Sequence, residues 1–170
     1  IENRKLNPVP KVALYGLCIA LAFVFSYIES LFPVVGIPGM KLGLTNIVVV
    51  VALYYMDAKA AFFINVVRII LVAATFGTGL SFLFSIAGGM LSFLVMWLMK
   101  KMKYFQLITV SVTGSVCHNA GQILVAMFVL HTSNVVWYFG ILCITGVVTG
   151  VLIGIVTSVI LQKLPKGMLD

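Results

Sequence analysis

Seven polar or charged residues sit in a largely apolar chain, and their types suit holding a ligand better than breaking bonds. Arg68 falls near the middle of an apolar run. A charge at that depth costs roughly 2.5 kcal/mol or more, so it must face a partner or a wet cavity. Two roles are open to it: an ion pair with Glu29 or bonds to carbonyl groups, and an anchor for an anionic ligand. Glu29, near the outer end of the first apolar run, either pairs with Lys41 or Arg68 or binds a cationic substrate group. Lys41 stands alone in the stretch Gly39-Met40-Lys41-Leu42-Gly43, away from every other basic cluster. Asn46 either stabilises the start of the next helix or reaches a ligand. His118, Asn119 and Gln122 lie together farther on, and their spacing puts Gln122 on one helix face with both of the others. Bonds between helices, worth about 0.6 kcal/mol each, and a strip facing a ligand both account for that trio.

The same inventory argues against catalysis. The chain has four acids, Glu2, Glu29, Asp57 and Asp170, and no two of them form a pair suited to acid–base work. No aspartate-rich motif is present to hold Mg²⁺ on a diphosphate. His118 and His131 lack the acidic or cysteine neighbours of a metal site. Cys117 and His118 are adjacent, so on a helix they do not face each other. Cys18, Cys117 and Cys143 read as small buried apolar residues. No glycine-rich phosphate loop is present, so ATP-driven work would need a partner. The expectation is therefore a binding protein without catalytic residues, metal or cofactor.

The surrounding composition says what positions these groups. Of 170 residues, 62% are apolar and 9% charged, and mean hydropathy is +1.21. Soluble domains carry roughly 25% charged residues and cannot hide this much apolar surface. The formal charge of +7 is explained by the positive-inside rule rather than by nucleic acid. Apolar runs predict helices over about 12–31, 42–56, 60–76, 80–99, 106–130 and 135–161. The second is short for a full span, and the Pro- and Gly-rich stretch before it (FPVVGIPGM) reads as a loop that dips into the membrane.

The expected fold is all-α: a single-domain polytopic membrane protein of six transmembrane helices. Arg4, Lys5, Lys11, Lys59, Lys100, Lys101, Lys103, Lys163 and Lys166 then fall on one side and only Lys41 on the other. This predicts a multi-pass protein of the cell membrane with both termini cytoplasmic. Small residues mark helix contact faces at Gly16 and Ala20, at Ser81, Ser85 and Gly89, and at Gly146, Gly150 and Gly154. Internal packing accounts for all three. The Gly16–Ala20 face also suits docking on a partner membrane protein.

The segment from Pro38 to Val48 (PGMKLGLTNIV), the mid-chain Arg68, Gly88-Gly89-Met90, and His118-Asn119-Ala120-Gly121-Gln122 resemble the Gx transporter family, also labelled heptaprenyl diphosphate synthase component I. That family is similar to the substrate-binding S components of energy-coupling factor (ECF) transporters, six-helix bundles that capture vitamins or related compounds. The resemblance implies capture of a small molecule from outside and its release inside, within membrane lipid. It also implies ATPase and transmembrane coupling subunits as partners, the latter docking on a small-residue face of the first helix such as Gly16 and Ala20. The candidate ligand-binding set is Glu29, Lys41, Asn46, Arg68, His118, Asn119 and Gln122. A second reading, a membrane accessory subunit for isoprenoid or quinone synthesis, follows the synthase label. A third is a partner in a membrane redox complex.

Overall fold

The computed structural model describes residues 11–32, 41, 43–131, 134 and 136–164. Among these residues the secondary structure is helical throughout: α1 Lys11–Leu31, α2 Asn46–Tyr55, α3 Ala58–Thr75, α4 Gly79–Met102, α5 Leu107–Leu130 and α6 Val136–Lys163. The loop over 33–40, expected to dip into the membrane, lies outside the described residues, as do Arg4, Lys5 and Lys166. Five helices are long and apolar enough to cross a bilayer. The chain is a multi-pass helical membrane protein.

The exception is α2, expected over 42–56 as a helix short for a full span and shorter still in the structure. Its 10 residues measure about 15 Å, half of a hydrocarbon core of about 30 Å. Val48, Val49, Val50, Ala52 and Leu53 are all buried, and α2 touches each of the other five helices. A helix apolar on every side belongs inside a bundle, and α2 is this bundle's central post.

The start of each neighbouring helix is set locally. Asp57 accepts a bond from Ala60 N (2.6 Å) and so caps α3; Thr78 accepts one from Ser81 N (3.1 Å) and caps α4. The Gly77-Thr78-Gly79 turn falls where expected, and the amide of Gly77 closes α3 on Val72 O at 2.7 Å. Lys103 and His131 end α4 and α5 with left-handed backbones, φ 58° and 47°.

Aromatic contacts fix the directions. Tyr15 meets Phe63 near the starts of α1 and α3, and Phe23 and Tyr27 meet Phe76 at their far ends, so these two helices run parallel. The most extensive pairings are α5 with α6 and α4 with α5. A β-carbon on Gly146, Gly150 or Gly154 would meet α5 backbone or side-chain atoms at 3.0 Å or less, so this ladder packs inside, as expected. Gly89 packs against α3, and Ser81 and Ser85 are buried. The α1 stripe differs: Gly16 and Ala20 are exposed, and a β-carbon on Gly16 would meet nothing within 4 Å.

The starts of α1 and α3 and the ends of α4 and α6 share one end of the bundle. Lys11, Lys59, Lys100, Lys101, Lys103 and Lys163 all lie there. The described residues at the opposite end carry no Lys or Arg.

Candidate functional site

A layer of buried polar side chains crosses the bundle where α2 begins. Glu29 comes from α1, Lys41 and Thr45 from the segment entering α2, and Asn46 from its first turn. Arg68 comes from α3, and His118 and Gln122 from α5. Each is at least nine-tenths buried. Because Gln122 lies near the middle of α5 and holds Lys41, the chain at Lys41 sits deep in the bundle.

Gln122 clamps Lys41 through the backbone. The amide of Lys41 donates to Gln122 Oε1 (2.8 Å), and Gln122 Nε2 donates to Lys41 O (2.9 Å). Glu29 holds the next turn: Oε1 accepts from Leu44 N (2.6 Å) and Oε2 from Thr45 Oγ1 (2.9 Å). Since the Thr45 hydroxyl proton goes to Glu29, Ser26 must be the donor in its 3.0 Å bond with Thr45. A carboxylate at this position also complements the positive N-terminal end of α2. Both Glu29 oxygens are thus engaged in holding the helix start.

Two glycines admit the bulky members. Gly43 has φ +86°, and a β-carbon there would stand 3.2 Å from Asn46 Nδ2 and 3.4 Å from the His118 ring. On α4, a β-carbon on Gly88 would meet His118 O at 2.8 Å and its ring at 3.0 Å, and one on Gly89 would meet Arg68 Nη2 at 3.4 Å. Arg68 and His118 therefore flank the Gly88-Gly89 step at one depth. Arg68 donates from Nε (3.2 Å) and Nη2 (2.9 Å) to Asn65 Oδ1, and Asn65 Nδ2 is anchored on Gly89 O at 3.1 Å.

The electrostatic centre is Lys41. Its ammonium is buried and makes no hydrogen bond, and Asn46 Nδ2 is likewise unpartnered. The Lys41 ammonium lies within electrostatic range of the Glu29 carboxylate and the Arg68 guanidinium. Glu29 acts on Arg68 as well, and His118 lies within range of both cations. Two cations thus share one carboxylate whose oxygens already serve α2. A buried ammonium without a hydrogen-bond partner is costly.

Not every expected member joins. Asn119 turns away toward α6, where Nδ2 donates to Leu142 O (2.7 Å) beside Gly146. The shared face expected for Gln122 with both His118 and Asn119 therefore splits: His118 and Gln122 face the layer, and Asn119 ties α5 to α6. Gly16 and Ala20 are remote and point outward. His131 ends α5 and rests near Phe128 at 6.4 Å. No metal-binding cluster occurs among the described residues. Sequence reasoning missed Ser26, whose signal was its spacing of three before Glu29 on one helix face. It also missed the second duty of Lys100, which donates to Leu53 O at the other end of α2 and lies over the Tyr54 ring at 5.1 Å.

The arrangement of Lys41, Asn46, Arg68, Gly88-Gly89 and His118-Gln122 draws on about half the length of the chain. Residues 18–160 match the family described as heptaprenyl diphosphate synthase component I. The chain belongs to that family. No curated protein and no solved structure matches it. The match reaches from the middle of α1 to the last turn of α6, so every residue of the polar layer falls within it.

Proposed function

We propose that this chain is a membrane-embedded capture subunit that binds a small anionic molecule, vitamin- or precursor-like, and passes it across the bilayer with partner proteins. The observation that carries this reading is the unpartnered, buried Lys41 ammonium beside Arg68, with Glu29 already spent on α2. A ligand carboxylate or phosphate would neutralise the excess cation, and Asn46 Nδ2 would add a directional bond. His118 packs against α4 at Gly88, and Gln122 holds the Lys41 backbone in place. The lysine-rich end faces the cytoplasm, which puts both termini there, and the ligand enters from the opposite end.

The chain has no ATP-binding loop, so partners supply the energy. The exposed Gly16–Ala20 stripe is the natural docking face for a coupling subunit, since small residues let two helix backbones approach closely. Thermal-shift screening of purified protein against anionic vitamins and their precursors tests the reading. A hit should lose its shift in both Lys41→Met and Arg68→Met, because each removes one cation of the layer. A panel of hits whose shifts survive both substitutions would overturn it.

The family description favours a second reading, a membrane accessory subunit in isoprenoid diphosphate synthesis. The sequence has no aspartate pair to hold Mg²⁺ on a diphosphate, so in that case a partner performs the chemistry. Affinity purification separates the two. Co-elution with ATPase and coupling subunits supports capture, and co-elution with a prenyl synthase supports the second reading.

A further inference from the structure

On the membrane-facing side of the bundle, α1 and α4 do not touch each other, and both pack on α3. They stand as two walls over a floor formed by the first turns of α3. The resulting cleft has a volume of about 900 Å³ and is lined by Tyr15 from α1, Lys59, Phe62 and Phe63 from α3, and Met90 to Trp97 from α4. That volume is at the upper end of the range for small-molecule sites. The cleft follows α4 from Met90 to Trp97, about 10 Å, which keeps it within one leaflet of about 15 Å of hydrocarbon. A smaller hollow of about 170 Å³ continues beyond Met90 along the α3–α4 seam. An acyl chain entering at the lysine-rich end would finish there.

The mouth of the cleft is basic. Lys59 lines it, and the Lys101 ammonium lies over the Trp97 ring at 5.7 Å from its centre. The nearby acid, Asp57, is occupied in capping α3, and Lys100 is occupied at the end of α2. We propose that this cleft is a specific site for one anionic phospholipid of the leaflet at the lysine-rich end. Its chain lies among the aromatic side chains, and its phosphate-bearing headgroup meets Lys59 and Lys101. Apolar contact with surrounding lipid alone would select no headgroup, whereas two lysines with no free carboxylate beside them among the described residues select a negative one. The site is separate from the polar layer, so its failure leaves the capture reading standing.

Trp97 lines the cleft and Trp137 sits at the opposite end, so Trp137→Phe leaves one fluorescent reporter in the full chain. The protein is placed in bilayers of phosphatidylcholine containing a small equal fraction of either dibromostearoyl phosphatidylglycerol or dibromostearoyl phosphatidylcholine. Phosphatidylglycerol should quench Trp97 at a several-fold lower fraction. Neutralising Lys59→Gln or Lys101→Gln should weaken that preference about five-fold each. The pair Lys59→Arg and Lys101→Arg should retain it, which separates charge from any loss of fold. Equal quenching by the two lipids would overturn the proposal. So would a preference that survives both glutamine substitutions, or displacement of the brominated lipid by a prenyl phosphate at lower concentration.

Discussion

Arg68 is tolerated in the bundle because one neutral side chain, Asn65, takes two of its hydrogen bonds and is itself pinned to Gly89 O. Bonds to a charged group contribute about 1.5–3 kcal/mol each when the alternative is an unsatisfied buried donor. Asn65→Ala should therefore lower stability by about 2 kcal/mol and swing Arg68 out of the layer, so that ligand binding weakens together with the unfolding midpoint. Gly88 provides a steric counterpart. Gly88→Ala would drive a methyl group to 2.8 Å from His118 O, an overpacking worth about 1–3 kcal/mol, whereas Gly16→Ala meets nothing within 4 Å and should change stability by less than about 0.5 kcal/mol. Chemical unfolding in detergent checks both. Equal effects at the two glycines would mean that α4 and α5 are not in close contact there.

At the scale of elements, α2 governs the site. Its N-terminal end is held by Glu29 and its C-terminal end by Lys100, which matches the sign of the helix dipole at each end. Glu29→Gln and Lys100→Met should each cost about 1–2 kcal/mol. The two sites are separated by the length of α2, so the losses should add within about 0.5 kcal/mol in the double variant. Strong non-additivity would show that the two charges act through each other and not through the helix. The long helices were readable from apolar runs, with ends displaced by no more than three residues. The start of α2 was not, because Leu42 and Leu44 continue an apolar pattern while the backbone turns at Gly43, φ +86°. Nor was the depth of Lys41, since it depends on Gln122, 81 residues away. Arg68, Lys41 and His118 were legible because charge and polarity are conspicuous in an apolar run. The diversion of Asn119 toward α6 was not, because adjacent positions on a helix face different neighbours.

For the molecule as a whole, the segregation of lysines gives a topology that labelling can test. On a background with Cys18, Cys117 and Cys143 replaced by Ala, an impermeant maleimide should label His131→Cys in intact cells and Lys103→Cys only after permeabilisation. The reverse pattern would invert the bundle and place the ligand entrance on the other side. The aromatic residues Tyr104, Trp137 and Tyr138 are exposed at helix ends, where interfacial side chains belong. The α1 stripe stays open on the outside while the α6 ladder is filled by α5. Two small-residue patterns that look alike in sequence thus differ only in whether a neighbouring helix covers them.

The central position of α2 also bears on how the protein is made. During synthesis, Lys41 to Tyr55 leave the ribosome well before Gln122 and Lys100 exist to receive them, and a helix of ten residues is too short to hold a transmembrane position alone. The nascent segment must wait near the membrane surface until α4 and α5 have been inserted, and only then can it move into the interior. Closure of the polar layer is accordingly a late event in biogenesis, and a chain released before α5 is complete would have no polar layer.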